Sequence, residues 1–400
     1  MVPPVPNRVL YAGAALADGM TPQLRGPVSV LVEGDVLAGI YDGDDIPAGA
    51  REGAAVVDAS GATIVPGFVD CHSHLTLQGG AQWIARGADP TPALVDAAER
   101  NAAALVGAGV RWIRDVGSVR RADTPDGIER ALSLSLRDQW RGRQDFPYIR
   151  AAGTWLTKAG TLPGGLAIEV DHADGLLAAA LGQLEDGADL VKLYLDGPEA
   201  GVAPWTADEV RAVVSAVHAR GATVAAHGSG LANCRLAAEA GVDTLEHGFI
   251  LDEDIAATLA ANGVTLVSTL SVLASWQTFA TTTEQDRFAS PEGRSRIAER
   301  REAAEHSVRL AHAAGVAIAA GSDFGGGSVR AGHLAWEVEC LVRAGLEPWE
   351  ALGAATWRGG DVFGDPHAGR LVPGALAHFT LVHGDPLSDP SALWRVWRVV

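Results

Sequence analysis

The chain has 400 residues, of which 48% are hydrophobic and 20% charged, so it can bury a large core in one big barrel or in two to three smaller units. Its formal net charge of -18 argues against a nucleic acid or an anionic membrane as partner and favours a small molecule. Cys71, Cys234 and Cys340 are widely separated, which indicates a reducing compartment without disulfides. No stretch reaches the roughly 18 to 20 apolar residues of a membrane-spanning helix, so we expect a cytoplasmic protein. The oligomeric state is left open, with a homo-oligomer as one option.

Both ends of the chain read as short strands separated by turns. The run VLYAGAALA after Arg8 is interpreted as an edge strand rather than the core of a signal peptide, because a turn and a second strand-like run, VSVLVEGD, follow it. The turn YDGDD and, beyond Gly364, the segments GRLVPGALAHFTLVHGDPL and RVWRVV continue this pattern. We therefore predict that residues 1–62 and 365–400 pair into one small β-sandwich domain.

Between these ends, short apolar runs alternate with Ala-rich segments of helical period, as in repeated βα units around a parallel sheet. One such segment, TADEVRAVVSAVHARG, begins with a candidate capping box of Thr206 and Glu209. Residues 63–364 are predicted to form a TIM (β/α)8 barrel, an α/β fold, with the long polar connection from about Ser271 to Glu299 covering part of the site. The eight candidate strands are IVPGFVD, VRWIRDV, YIRAAG, ADLVKLYL, ATVAAH, VDTLEH, VTLVSTL and VAIAAGSD.

The first of these strands leads into two histidines, His72 and His74, in the stretch VPGFVDCHSHL. Since side chains alternate along a strand with a period of two, both imidazoles project from the same face. This is a chelating geometry, but an H-x-H pair alone only suggests a metal site. In a TIM barrel the functional groups lie at the carboxyl ends of the strands, so the other strand ends provide the test.

The other strands carry four more candidate ligands: Lys192, His227, His247 and Asp323. Each also has a structural alternative. Lys192 could extend its ammonium group to the rim, and His227 could cap a helix. His247 could pair with Glu246 in the core, and Asp323 could be a helix N-cap. Because these alternatives would have to coincide at several different strand ends, we favour one metal site at the mouth of the barrel.

An ammonium group beside four histidines and an aspartate has the wrong charge for a metal site. Burial lowers the pKa of a lysine, and its neutral amine can then take up carbon dioxide to become an anionic carbamate. A carbamate on Lys192 could bridge two divalent ions. The predicted ligands are His72, His74 and Asp323 for one ion and His227 and His247 for the other.

The segments that hold these residues resemble the metal-dependent amidohydrolase superfamily over nearly the whole chain: PGFVDCHSH, VKLY, VAAHG, TLEHG, GSDFG and GRLVPGALAHFTLVHGDPL. Two longer segments, GATVAAHGSGLANCRLAAEAGVDTLEHGFILDEDIAATLAANGVTLVSTL and RAGLEPWEALGAATWRGG, are similar to its imidazolonepropionase-like branch, which includes bacterial Xaa-Pro dipeptidases. The resemblance implies a binuclear centre, usually zinc, with a carboxylated lysine at Lys192 and a bridging hydroxide. It favours hydrolysis of an amide or peptide-like C–N bond in a dipeptide, an N-acyl amino acid or a related small amide.

Asp323 is the predicted catalytic residue, which would accept the proton of the attacking hydroxide and deliver it to the departing amine. Two segments depart from the family pattern. Dipeptidase-like members often carry Gly-Gly-His after strand three, where PGGLA places Leu166, so the group that orients the carbonyl is not identified. The closing motif usually reads Ala-Asp and here reads Ala377-His378, a change interpreted as structural.

Three alternative functions are weighed. A lactone hydrolase, or an organophosphate or aryl ester hydrolase, would use the same metal pair. A deaminase is disfavoured because such members resemble a His-x-x-Glu pattern after strand five, whereas the residues after His227 offer no acid there. A non-catalytic, scaffold-like member would be expected to have lost ligands, and all of them are present.

Overall fold

A computed structural model describes residues 7–43 and 45–400. Residues 1–6 of the predicted N-terminal segment, and Asp44 in its YDGDD turn, lie outside the described residues. The strands are β1 Arg8–Leu16, β2 Arg25–Glu33, β3 Val36–Asp42, β4 Ala55–Asp58, β5 Ala62–Pro66, β6 Phe68–Ser73, β7 Val110–Asp115, β8 Arg120–Arg121, β9 Arg130–Ala131, β10 Tyr148–Ala151, β11 Trp155–Lys158, β12 Ala167–Val170, β13 Leu190–Tyr194, β14 Thr223–Gly228, β15 Thr244–His247, β16 Thr265–Ser268, β17 Ile318–Ala320, β18 Phe379–His383 and β19 Val396–Val399. The helices are α1 Ala48–Arg51, α2 Trp83–Arg86, α3 Thr91–Gly107, α4 Leu132–Trp140, α5 Ala173–Glu185, α6 Ala207–His218, α7 Leu231–Ala240, α8 Glu253–Ala261, α9 Leu270–Thr278, α10 Asp286–Ala289, α11 Pro291–Ala313, α12 Leu334–Ala344, α13 Pro348–Ala354 and α14 Trp357–Phe363, with short 3-10 helices at Phe279–Thr281 and Pro390–Trp394.

Strands from both ends of the chain form one seven-stranded sheet. β18 runs antiparallel to β5 and β19, and β1 pairs with β2, β4 and β5. Its buried apolar cluster includes Tyr11 and Phe379, whose rings meet edge to face at 5.3 Å. The two ends of the chain are thus joined by strand pairing, while the two-layered sandwich and its boundaries stay predictions.

The predicted first strand, IVPGFVD, is divided into two strands at Gly67. Residues before Gly67 belong to β5 in the sheet of the chain ends, and β6 begins immediately after it. Gly67 donates its N–H to the carbonyl of His378 at 2.9 Å, whereas Phe68 donates to the carbonyl of Gly109 at 2.9 Å. Neighbouring residues therefore hydrogen-bond to different parts of the fold, and the prediction of a single strand is wrong here.

Parallel strands organise the middle of the chain. β6, β7 and β10 form one sheet, and β13 to β17 form a second sheet that β11 and β12 extend. Backbone hydrogen bonds connect the two sheets on both sides: Asp189, just before β13, donates to Ala151 of β10 at 2.9 Å, and Asp323, after β17, donates to His72 of β6 at 2.8 Å. The strands β6, β7, β10 and β13 to β17 each overlap one of the eight predicted from the sequence. The chain has an α/β fold, and the closed barrel stays a proposal.

The capping box predicted for α6 is present. Thr206 accepts a hydrogen bond from the Glu209 N–H at 3.3 Å, and the Glu209 carboxylate accepts one from the Thr206 N–H at 2.7 Å. The long polar connection over residues 271–299 is largely helical and contains most of α9, all of α10 and the start of α11. Within residues 7–43 and 45–400, none of the helices combines the length and apolar composition that a membrane crossing requires.

Candidate metal centre

A cavity of about 280 Å³ lies at the carboxyl ends of the parallel strands, and all six metal ligands predicted from the sequence line it. They come from the ends of β6, β14 and β15, from within β13, and from the loop after β17. Two residues of the connection over 271–299, Val272 and Trp276, also line the cavity, so this segment covers part of it as predicted. The other large side chains of the wall are Trp83, Trp155, Leu162, Leu166, Tyr194, Phe249 and Arg300.

His72 and His74 direct the same ring atom towards one carboxylate. Nδ1 of His72 lies 2.6 Å from Oε2 of Glu246, and Nδ1 of His74 lies 2.8 Å from a backbone carbonyl oxygen. Because Glu246 is the partner of His72, it is not the partner of His247, as the structural alternative had it. Their Nε2 atoms lie 3.5 and 3.3 Å from Oδ1 of Asp323. An acceptor on Nδ1 fixes the tautomer that leaves Nε2 free for a metal. Burial lowers the pKa of His72 well below its usual value, which keeps the ring neutral, as metal binding requires.

His247 lies between the rings of His72 and His227, at centroid distances of 4.6 and 4.4 Å. Its Nδ1 lies 2.8 Å from the hydroxyl of Thr269, and burial keeps its pKa well below the usual range. One potential ligand atom each from His72, His247 and Asp323 lies within 4.8 Å of the other two. The sequence analysis assigned His247 to the same ion as His227. In the structure, His247 lies close both to His227 and to two ligands predicted for the other ion, His72 and Asp323.

Backbone strain coincides with two of the predicted ligands. Among the described residues, His247 and Asp323 are the non-glycine positions with a positive φ, of 73° and 50°. Such conformations cost about 1–3 kcal/mol each and persist where the surrounding structure imposes them. Strained backbone at both of these predicted ligands favours a functional role.

Lys192 lies within β13 and is 1% exposed, so its amine does not extend to the rim. Within the described part of the chain, Nζ has no hydrogen-bond partner. Burial lowers the pKa of Lys192 to about 8, against the opposing effect of the Glu246 and Asp323 carboxylates. A neutral amine is the form that adds carbon dioxide, and an unpartnered amine is costly in a core lysine. These properties fit the predicted carbamate.

His227 is held by an acid that the sequence analysis did not identify. Its Nε2 lies 3.0 Å from Oδ2 of Asp196, and its ring stacks on Tyr194 with centroids 3.9 Å apart. Asp196 also accepts hydrogen bonds from the Ser229 N–H at 3.0 Å and the Asn233 side-chain amide at 2.6 Å. Asp196 directly follows the predicted fourth strand, so the rule that placed ligands at strand ends could have found it.

Neither helix cap proposed as an alternative forms among the described residues. The helix after His227 begins at Leu231 behind a glycine N-cap, and the helix after Asp323 begins at Leu334. The side chains of His227 and Asp323 therefore do not cap these helices, and both line the cavity.

The two departures from the family pattern lie in different surroundings. Leu166 lines the cavity without a hydrogen-bonding group. Tyr194, which also lines the cavity, has a hydroxyl whose pKa is raised by burial, so that it stays a donor. His378 lies outside the cavity, with Nε2 3.2 Å from the hydroxyl of Tyr148 and its ring edge-on to Trp112 at 5.3 Å. These contacts agree with a structural role for His378.

Glu337 on α12 organises the segment that runs from the end of β16 into the first turn of α9. Its buried carboxylate accepts hydrogen bonds from a serine hydroxyl of β16 at 2.6 Å and from the N–H groups of Leu270 and Ser271 at 3.0 and 2.7 Å. This segment contains Thr269, whose hydroxyl contacts the ring of His247. Glu337 thereby positions a partner of a predicted ligand.

Replacing Glu337 with alanine should lower the free energy of unfolding by about 3 kcal/mol or more, because three buried donors each lose a partner at a cost of about 1–3 kcal/mol. Chemical denaturation of variant and wild-type protein measures the change. The control is Glu302→Ala, at an exposed position of α11, which should change stability by less than about 0.5 kcal/mol. Equal stability of the two variants would show that Glu337 does not hold this segment.

Comparison with known proteins places this geometry in a family. Residues 63–400 match the amidohydrolase family model. An uncharacterized protein of Mycobacterium tuberculosis is 31% identical over 352 residues, which cover 83% of this chain and 82% of that protein. The imidazolonepropionase of Salinispora tropica is 28% identical over 392 residues, which cover 92% and 88% of the two chains. The crystal structure of a Xaa-Pro dipeptidase with methionine in its active site has a TM-score of 0.81 and 25% identity over 98% of both chains. As the sequence motifs predicted, the chain belongs to the amidohydrolase family, in the branch of imidazolonepropionase-like and Xaa-Pro dipeptidase-like proteins.

Proposed function

We propose that the protein is a metal-dependent hydrolase that cleaves an amide or peptide-like C–N bond in a small molecule, such as a dipeptide or an N-acyl amino acid. Membership of the amidohydrolase family supports a hydrolase. The observation that carries the proposal is the convergence of the six predicted ligands on one cavity at the strand ends. Similarity to an imidazolonepropionase and to a Xaa-Pro dipeptidase supports a C–N bond as the target.

The donor set fits two divalent metal ions, with zinc as the preferred identity because imidazole nitrogens and carboxylate oxygens are common zinc ligands. The proposed ligands are His72, His74 and Asp323 for one ion, His227 and His247 for the other, and the carboxylated Lys192 for both. A carbamate would offset positive charge that the ammonium group would only increase. When bound, the ions would supply Lewis-acid activation of a water molecule and of the scissile carbonyl.

Asp323 is the proposed proton-transfer group. Its carboxylate lies beside the Nε2 atoms of His72 and His74, and the side chain lines the cavity and is 10% exposed. It can accept a proton from the attacking water and deliver it to the nitrogen of the departing amine. Because an unprotonated amine is a poor leaving group, cleavage of an amide depends on this transfer.

A substrate screen of zinc-loaded protein tests the proposal, with dipeptides, N-acyl amino acids, lactones and aryl esters compared by kcat/KM. We expect the best substrate to be an amide or a dipeptide, preferred by about tenfold or more over the best lactone or ester, a difference of about 1.4 kcal/mol in transition-state binding. Protein treated with a chelator is the control and should recover its activity when zinc is returned. A lactone or aryl ester as the best substrate would contradict the C–N bond proposal.

We also propose that the eight parallel strands close into a (β/α)8 barrel over residues 63–364, beside a β-sandwich domain built from residues 1–62 and 365–400. The hydrogen bonds between β10 and the start of β13, and between β6 and the loop after β17, support the closure. The strand pairing between β5 and β18 supports the joining of the two chain ends. A cytoplasmic location and a homo-oligomer stay predictions.

A further inference from the structure

Arg300 brings a cationic group into the cavity that the predicted ligands line. It lies on α11, and its guanidinium carbon is 5.2 Å from the centre of the Phe249 ring. Its Nε is buried, and across residues 7–43 and 45–400 the side chain forms neither a hydrogen bond nor an ion pair. The next residue, Arg301, in contrast pairs with Glu305 at 3.0 Å. Arg300 is therefore available to a group that is not part of the chain.

Among the described residues, neither acid of the cavity forms an ion pair with Arg300. Asp196 is held by His227 and by Ser229, each at 3.0 Å, and Asp323 lies beside His72 and His74. A partly buried guanidinium without a counter-ion is costly, and a carboxylate matches it best because two parallel N–H groups meet two oxygens. An anionic ligand in the cavity would relieve this cost.

Phe249 links Arg300 to the candidate metal centre. Its ring centre lies 5.2 Å from the guanidinium carbon and 5.3 Å from the centre of the His247 imidazole. The distance from the guanidinium carbon of Arg300 to the centre of the His247 imidazole is at most the sum of these two distances. A chain of about three extended residues has that length. A substrate whose scissile bond lies near His247 can therefore place a nearby carboxylate on Arg300.

We infer that Arg300 binds a carboxylate of the substrate, and that the substrates are amides with a free carboxylate within about three residues of the scissile bond. This inference rests on the proposed function and names the class of substrate within it. It separates N-acyl amino acids and short peptides with a free carboxyl group from uncharged amides. Phe249 and Trp276 on the cavity wall favour an apolar side chain in the same substrate.

Matched substrates test the inference: N-acetyl-L-phenylalanine, its carboxamide, and succinanilic acid, whose carboxylate lies on the acyl half. Arg300→Met should lower kcat/KM for the preferred carboxylate substrate by about 10- to 100-fold, mainly through KM, because charge-assisted hydrogen bonds are lost. Turnover of the carboxamide should change by less than about threefold, and Arg300→Lys should keep part of the preference. The control, Arg301→Met on the same helix, should leave both rates unchanged.

Calorimetric binding to Asp323→Asn protein separates this inference from the proposed function. We expect one of the two carboxylic acids, N-acetyl-L-phenylalanine or succinanilic acid, to bind at least about tenfold tighter than the carboxamide. Adding Arg300→Met to the Asp323→Asn protein should remove this difference. Tighter binding of either acid supports the inference. N-acetyl-L-phenylalanine as the tighter ligand would place the carboxylate on the amine half of the substrate, and succinanilic acid would place it on the acyl half. Selective binding without turnover of any amide would overturn the proposed function and leave the carboxylate site standing. Equal binding of both acids and the carboxamide, unchanged in Arg300→Met, would overturn the inference.

Discussion

Replacing Asp323 with asparagine is expected to lower kcat for the best amide substrate by about a hundredfold or more, the usual scale for a positioned acid–base group. Asparagine keeps the shape of the side chain but cannot take up the proton. It also tolerates the left-handed backbone conformation, with φ at 50°, better than most residues. The variant should therefore keep its fold and much of its metal, which circular dichroism and metal analysis would check.

The loss in Asp323→Asn should depend on the leaving group. An amine must be protonated as it departs, whereas the alkoxide of an ester or lactone depends less on protonation. The loss of kcat should therefore be smaller for an ester with the same acyl group than for the amide. Near-normal turnover of the best amide by metal-loaded Asp323→Asn protein would show that another group transfers the proton.

Replacing Lys192 with alanine should reduce activity by more than the roughly 10- to 100-fold that loss of a group supporting a metal ligand costs. Without the side chain, the site loses the anionic carbamate proposed between the two ions. Added acetate or propionate should restore part of the activity, because a small carboxylate can occupy the vacated space. Full activity of Lys192→Ala without such an acid would contradict the binuclear arrangement.

The carbamate itself can be observed, because the chain has two lysines, Lys158 and Lys192. Lys158 lies over the ring of Trp205 at 4.6 Å and donates to the backbone carbonyl of Asp171. After exchange with 13C-labelled bicarbonate, NMR should show one bound carbamate that is lost in Lys192→Ala and kept in Lys158→Ala. Active wild-type protein without this resonance would rule out the modification.

The candidate ligands were predictable because their positions follow from strand geometry. His72 and His74 share a face because side chains alternate along a strand, and parallel strands present their carboxyl ends at one edge. Asp196 satisfies the same rule, since it directly follows the predicted fourth strand. A single acid after a strand does not show whether it binds a metal or, as here, holds a histidine, so its role required the structure.

Other features depend on contacts between distant segments. Arg300 lies in the segment RSRIAERRE, and the helical period alone does not show which of its arginines reaches the cavity. Glu337 is buried by the packing of α12 against the start of α9, whereas glutamates on helices are usually exposed. The division of IVPGFVD at Gly67 follows from the pairing of β5 with β18, near the other end of the chain. None of these contacts leaves a periodic pattern in the sequence.

Titration of metal-depleted protein with zinc tests the central claim most directly, with bound metal and amide hydrolysis measured at each step. The proposed ligands exceed the four that a closed single zinc site normally takes, so we predict that activity rises until about two ions are bound per chain. The same titration of Lys192→Ala should reach its plateau with less bound metal. Full activity of the wild-type protein without metal, or with a single bound ion, would contradict the claim.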